Sequence, residues 1–212
     1  MEDARTIAGV EYRRRSRRCI VEFDDGERIK FDMDVVVEYA LAKGRRIAPD
    51  EFAEIYGRQR TIELRQAAFN YASYKPRTEF EVINKLREKG FESDEIDRAL
   101  GFLAEFNLLD DEAYARNFVK NYLQKKPSAP PRIIMELRRR GIPRDIAELA
   151  IEAAYPDGIK SNLAREAAQK KMRSIEGKPP EKQRRSLAGY LQRLGFDWGT
   201  IKEIEQEYFE RT

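Results

Sequence analysis

The residues of this sequence that carry chemistry are mostly charged. Asp110, Asp111 and Glu112 place three carboxylates in succession, an arrangement found in metal sites and in general-acid sites. The 212-residue chain has no histidine and one cysteine, Cys19. This excludes an imidazole base or metal ligand, an internal disulfide and a thiolate zinc site. No second acidic motif converges on the triplet, so we interpret it as the start of a helix with Asp110 as the N-cap.

A first cluster of arginines lies near the N-terminus. Five of the six residues from Arg13 to Arg18 are arginine. A guanidinium pairs well with phosphate or carboxylate, so this segment is a candidate contact for either. The same charges also suit an exposed sheet edge that must not aggregate, and we favour that interpretation.

A second cluster of arginines follows a run of prolines. At 100° per residue, Arg132 and Arg139 fall opposite the buried face of the predicted helix that contains them. No Asn or Gln is placed to read bases, so any DNA contact would be with the phosphate backbone. The predicted partner- or DNA-binding residues are Arg13, Arg14, Arg15, Arg17, Arg132, Arg138, Arg139 and Arg144. No catalytic residue, metal ligand or cofactor site is predicted, and we expect no enzyme activity.

The net charge of +3 is unevenly distributed. Residues 78–112 contain four basic and eleven acidic residues, whereas residues 113–147 contain nine basic and two acidic residues. Alternating signs on successive segments either steer assembly with a partner or form solvated faces that attract one another. The basic segment also keeps a direct, sequence-independent DNA-binding protein open as the alternative function.

The elements that position these residues are repeated. Leucine, a glycine four residues later and then an apolar residue occur three times, with glycines at Gly90, Gly141 and Gly195. The spacings of 51 and 54 residues predict tandem duplication of one supersecondary unit. The glycine terminates a helix, because the left-handed C′ position costs other residues about 1–2 kcal/mol.

Each unit is predicted to contain three helices. Helix, proline break, helix, glycine break and helix follow in order, because proline fits the first turn of a helix and not its interior. In the third helix of the first unit, an apolar stripe is predicted at Ile96, Ala99, Leu100 and Leu103, and it aligns with a second stripe in the next unit. The second stripe is predicted at Ile146, Leu149, Ala150 and Ala153.

The first part of the chain is predicted to be a small cap. The Asp-Gly turn between residues 19–23 and 28–31 predicts a β-hairpin, with a third strand over residues 7–12. Asp34 is predicted as the N-cap of a first helix, and a second helix begins at Pro49. The predicted domains are an N-terminal cap at 1–58 and three-helix repeats at 59–108, 109–157 and 158–212.

The predicted fold is therefore mainly α, with tandem three-helix repeats in an elongated array and a small N-terminal β-hairpin and helical cap. No signal core and no apolar run near the roughly 20 residues of a membrane span is present in the sequence. We expect a cytoplasmic protein, without membrane contact, that is a monomer.

The ordered motifs resemble those of the RecX regulatory proteins, which modulate the RecA recombinase. The match comprises residues 76–79 leading into Leu86 and Gly90, then residues 109–115, and then Arg132 with Leu137 and Gly141. It covers roughly residues 61 to 155. The third repeat matches in pattern, and the proline-rich connection at residues 127–131 departs from the family.

The resemblance implies a non-enzymatic regulator that binds RecA filaments on DNA. It would limit recombinase and co-protease activity, and so act in DNA recombination, DNA repair and the SOS response. The implied partners are the RecA filament and single- or double-stranded DNA. The family's signature positions are expected to be caps and core, and they are Leu86, Gly90, Asp110, Asp111, Tyr114, Leu137 and Gly141.

Overall fold

The structure, a computed structural model, describes residues 4–13, 17–156 and 158–210. Its internal contacts divide the chain into two compact units. The first unit runs up to Tyr74 and includes Leu86–Glu105. The second unit contains Lys75–Lys85 and the chain from Phe106 onward.

In the described residues, a short β-sheet precedes a series of helices. The strands are β1 (Arg5–Arg13), β2 (Arg18–Phe23), β3 (Arg28–Asp32) and β4 (Arg46–Ile47). The helices are α1 (Met33–Glu38), α2 (Pro49–Tyr74), α3 (Glu79–Glu88), α4 (Ser93–Glu105), α5 (Asp111–Lys125), α6 (Pro130–Arg138), α7 (Arg144–Ala154), α8 (Ile159–Arg173), α9 (Pro180–Arg193) and α10 (Trp198–Phe209). The helix–proline–helix–glycine–helix order is thus present three times.

The N-terminal module is an antiparallel sheet packed on the start of α2. Its strand order is β3-β2-β1-β4, and the predicted hairpin and third strand are both present. Its core includes Val21, Phe31 and, from α2, Ile55. Arg13 pairs with Arg18 across β1 and β2, and β2 is a central strand. However, β1 pairs with β4 only at Arg5 and Thr6, and residues 14–16 lie outside the described residues, so the prediction of an exposed sheet edge at residues 13–18 stays a prediction.

Helix α1 begins two residues earlier than predicted. The N-cap is Asp32, whose carboxylate accepts a hydrogen bond from the Asp34 amide at 3.0 Å. Both aspartates suit a cap, but β3 ends at Asp32, so the chain turns into the helix there. Asp34 therefore belongs to the first turn, where its charge suits the helix dipole.

Helix α2 is continuous for 26 residues, from the sheet into the first repeat. Pro49 begins it as predicted, and Ile55 packs against the sheet while further along α2 packs on α4. Arg60 joins the two helices, because its guanidinium donates two hydrogen bonds to the Glu95 carboxylate, at 2.5 and 2.8 Å, and one to the Gly90 carbonyl at 2.7 Å. The carboxylate holds the pKa of Arg60 above its ordinary value.

The three glycine breaks have the same geometry. Gly90, Gly141 and Gly195 have φ values of +80°, +80° and +85°. In each case the following amide donates back to a leucine carbonyl, as from Ile142 to Leu137 at 3.2 Å. This pairing is the Schellman motif, and it confirms the predicted left-handed caps.

The buried stripe of α7 lies one residue later than predicted. Ala147, Ala150 and Ile151 are buried, whereas Leu149 is 62% exposed. Counted from the preceding glycine, Ala147 and not Ile146 takes the place of Ile96 in the first repeat. The prediction followed the larger apolar side chain, but packing between helices selected the smaller one.

Candidate partner-binding surface

The candidate surface is built on a contact that recurs between consecutive repeats. At the N-cap of α3, the Thr78 hydroxyl donates to the Arg140 carbonyl at 2.7 Å. At the N-cap of α6, the Ala129 amide donates to the Leu194 carbonyl at 2.9 Å. In both contacts the acceptor directly precedes a left-handed glycine of the following repeat, Gly141 or Gly195. We call this contact the repeat joint.

Two signature positions lie at the first repeat joint. Asp111 accepts a hydrogen bond from the Glu79 amide at 3.1 Å. Burial raises the pKa of Asp111, and burial also raises the pKa of Tyr114, with Glu81 adding to the rise and Arg140 opposing it. The sequence alone indicated only caps and core for these positions, because a joint between segments about sixty residues apart leaves no local pattern.

The acidic triplet begins α5, as predicted. Asp110 is the N-cap and accepts from the Ala113 amide at 2.7 Å. Asp111 is used at the repeat joint, and Glu112 pairs with Arg116 on the surface. Within residues 4–13, 17–156 and 158–210, no group of three His, Cys, Asp or Glu side chains is placed to hold a metal ion.

Arg132 does not lie free on the exposed face of α6. A Cβ added to Gly195 would lie only 3.0 Å from the backbone nitrogen of Arg132, so Arg132 belongs to the second repeat joint. Its guanidinium pairs with Glu136 at 2.7 Å and its side chain is 26% exposed. The helical-wheel expectation failed here because the third repeat covers the first turn of α6.

The far end of α6 does present an exposed basic face. Arg138 and Arg139 are both exposed, and they border a shallow groove of about 410 Å³. The other residues that line it are apolar and also come from α6: Pro131, Ile134 and Met135. The guanidinium of Arg139 is as far as 3.5 Å from the Glu136 carboxylate. Arg138 makes no ion pair in the described part of the chain. We call the surface formed by these five residues the α6 face.

The other predicted arginines are not part of the α6 face. Arg144 begins α7 and pairs with Glu148 at 2.7 Å. Arg17 pairs with Asp34, and Arg13 lies 3.8 Å from Glu11. Arg14 and Arg15 lie outside the described residues.

Three of the arginines on and directly after α6 share one acidic partner. Glu136 is 14% exposed in its side chain and meets the guanidinium groups of Arg132, Arg139 and Arg140. Arg140 also lies over the Phe118 ring at 4.5 Å. Arg138 therefore presents the least compensated charge of the helix, which suits recognition of a carboxylate or phosphate.

Comparisons with known proteins identify the three-helix units. Family profiles described as the first, second and third three-helix domains of RecX match residues 65–103, 110–151 and 161–204. The regulatory protein RecX of Clostridium perfringens is 30% identical over 213 residues, which cover 96% of this chain and 99% of that protein. That of Chlorobaculum tepidum is 35% identical over 123 residues, which cover 58% of this chain and 74% of that protein.

Solved structures show the same fold. A crystal structure of a regulatory protein RecX matches with a TM-score of 0.68 and 23% identity, covering 96% of this chain and 99% of that one. The crystal structure of RecX from Lactobacillus salivarius matches with a TM-score of 0.60 and 28% identity, covering 69% of this chain and 95% of that one. The predicted mainly helical fold, with three tandem three-helix repeats after a small N-terminal hairpin, is confirmed.

Among the described helices, none combines the length and the apolar character that crossing a bilayer requires.

Proposed function

This chain belongs to the RecX family of regulatory proteins, and we propose that it is a non-enzymatic regulator that binds RecA filaments on DNA. Binding would limit the recombinase and co-protease activities of the filament. The observation that carries the contact site is the α6 face, where two exposed arginines border an apolar groove. This combination suits a protein partner, because apolar area provides affinity and arginine provides specificity.

Repetition of a small module suits binding to a polymer. Linked modules that each bind weakly rebind at a high effective concentration, so several modest contacts add up to stable occupancy. The second repeat joint supports this proposal, because it holds the second repeat to the third within one compact unit and so sets the spacing of these two modules.

The test is a RecA-dependent ATPase and strand-exchange assay with Arg138→Ala/Arg139→Ala. If both arginines bind the filament, each lost contact costs about 1–2 kcal/mol, and inhibition needs at least about tenfold more protein. Thermal stability stays unchanged because both side chains are exposed. The matched control is Arg165→Ala/Arg184→Ala, which removes the same charge from the third repeat, where each arginine already pairs with a glutamate.

Two results would oppose this proposal. Folded wild-type protein that leaves both RecA activities unchanged at stoichiometric amounts would remove the proposed function. Equal loss of inhibition in the two double variants would leave the function but move the contact away from the α6 face.

Direct binding to bare DNA is the second candidate, favoured by the excess of basic residues between Ala113 and Ala147. It predicts that the logarithm of affinity falls with the logarithm of salt concentration, by about 0.9 per phosphate contact. Titration of labelled single- and double-stranded oligonucleotides measures this slope. No detectable binding near about 150 mM salt would exclude DNA as the main partner.

A further inference from the structure

A second groove lies in the same repeat, on helices that the α6 face does not use. It runs between α5 and α7 and has a volume of about 400 Å³. Its lining residues are Arg116, Lys120 and Leu123 from α5, and Ala150, Ala153 and Ala154 from α7. Both sets follow helical spacing, so the groove runs along the two helices.

The groove exists because α7 carries small side chains. Ala154 is the thirteenth residue after Gly141, and the thirteenth residues after Gly90 and Gly195 are Leu103 and Tyr208. Leu103 is fully buried. The methyl group of Ala154 fills less volume than the buried Leu103 side chain does in the first repeat, whereas Tyr208 of the third repeat is 38% exposed.

The apolar surface of the groove continues beyond its lining. Leu149 lies one turn before Ala153 on α7 and is therefore on the same face. Leu149 is 62% exposed and adds to the apolar surface beside the groove. The later phase of the buried stripe on α7 thus has a consequence, because it directs this leucine outward beside the groove.

The charged residues that line the groove are both basic. Lys120 is exposed and makes no ion pair within the described part of the chain. Arg116 pairs with Glu112 at 3.2 Å, but both side chains are more than half exposed, so this pair is weak and exchangeable. An incoming carboxylate can therefore reach Lys120 directly and compete with Glu112 for Arg116.

We propose that the α5–α7 groove of the second repeat is a docking site for an acidic amphipathic helix of a partner protein. Its apolar side chains would lie over Ala150, Ala153 and Leu149, in the manner of a helix in a groove. Its carboxylates would meet Arg116 and Lys120. The site does not depend on the α6 face or on RecA, so it adds a second interaction to the proposed function.

The test uses the full chain and a defined probe. The probe is a fluorescein-labelled peptide of about five helical turns, with leucines on one face and glutamates flanking them. A matched peptide carries lysine at each glutamate. Fluorescence anisotropy should show binding of the acidic peptide in the micromolar range and binding of the basic peptide at least about tenfold weaker.

Two variants locate the binding. Ala153→Trp fills the groove from an exposed position, so the fold should survive, as judged by circular dichroism, while peptide binding is lost. Arg116→Glu/Lys120→Glu should weaken binding by about tenfold or more, since two surface ion pairs are replaced by repulsion. Arg165→Ala/Arg184→Ala in the third repeat is the control for lost basic charge and should bind the acidic peptide as the wild type does.

The outcomes separate this site from the other possibilities. Failure of the folded wild type to bind the acidic peptide at about 100 µM would overturn the proposal. So would equal binding of the acidic and basic peptides, or full binding by Ala153→Trp. If Arg116 and Lys120 instead bind an oligonucleotide that Ala153→Trp still binds, the basic rim serves nucleic acid and the peptide site is refuted. None of these results involves a RecA assay, so they leave the proposed function untouched.

Discussion

Replacement of Gly141 by alanine is the sharpest test of the repeat joint. A side chain at position 141 is disfavoured for two separate reasons. The φ of +80° at Gly141 is unfavourable for any residue with a Cβ, and an added Cβ would lie 2.1 Å from the Phe80 Cβ and 2.3 Å from the Phe80 Cγ. These atoms are next to the backbone of α3, so rotation of the phenylalanine side chain does not remove the overlap.

Each of the two reasons has its own cost in free energy of unfolding. The left-handed conformation costs alanine about 1–2 kcal/mol relative to glycine. Overpacking against a side chain that cannot move away typically adds about 1–3 kcal/mol. We therefore expect Gly141→Ala to lower the free energy of unfolding by about 2–5 kcal/mol, a large part of the stability of a typical domain.

Gly158→Ala is the matched control for this measurement. Gly158 lies in the same compact unit and has a φ of +81°, but an added Cβ meets nothing within 4 Å. It should cost only the conformational part, about 1–2 kcal/mol. Urea unfolding, followed by circular dichroism, compares the two variants at constant m-value.

A double variant isolates the steric part. Phe80→Gly removes the three atoms nearest to the new methyl group, whereas Phe80→Ala would leave the contact at Cβ. On the Phe80→Gly background, Gly141→Ala should therefore cost no more than Gly158→Ala does. The reasoning is refuted if Gly141→Ala costs the same as Gly158→Ala, or if Phe80→Gly gives no relief.

Three further predictions concern single contacts, each measured by urea unfolding. Lys160, together with the Thr200 amide, lowers the pKa of Asp197 from 3.8 to about 2. The stabilisation that the Asp197 carboxylate contributes is therefore present above pH 3.8 and is lost as the pH falls towards 2. Asp197→Asn, which keeps the cap acceptor, should remove that acid-dependent loss, and an unchanged pH profile would contradict this. Burial raises the pKa of Tyr155 from 10.0 to about 12, so stability should decline as the pH rises from 10 to about 12 and Tyr155→Phe should flatten the decline. Arg60→Lys should cost about 1–2 kcal/mol because lysine cannot grip Glu95 in a two-pronged contact, while the exposed Arg98→Lys should change stability by less than about 0.5 kcal/mol.

Local features of the fold could be predicted from the sequence. The Schellman caps follow from single glycines, and the Asp110 cap follows from the residues directly after it. A capping box also forms at the start of α3, where the Glu81 amide donates to the Thr78 hydroxyl at 3.2 Å and the Thr78 amide donates to the Glu81 carboxylate at 3.3 Å. All of these depend on interactions within five residues, so the sequence pattern contains the whole cause.

Features set by packing could not be predicted in the same way. The phase of α7 depends on which face fits α5, and alanine competes well where helices approach closely. The fate of Arg132 depends on Gly195, which is 63 residues away. Both arginines of the α6 face were among the predicted binding residues, but the apolar groove beside them was not predicted.

The repeat joint has a consequence for protein engineering. Its acceptor is a main-chain carbonyl, and its donor is a hydroxyl in one copy and an amide in the other, so the connector tolerates different residues while keeping one geometry. Modules from related chains should therefore be interchangeable at residues 78 and 129 if the glycine after the acceptor is kept. Pro179, the N-cap of α9, offers neither type of donor, so a designer who wishes to append another copy would begin by replacing it with threonine.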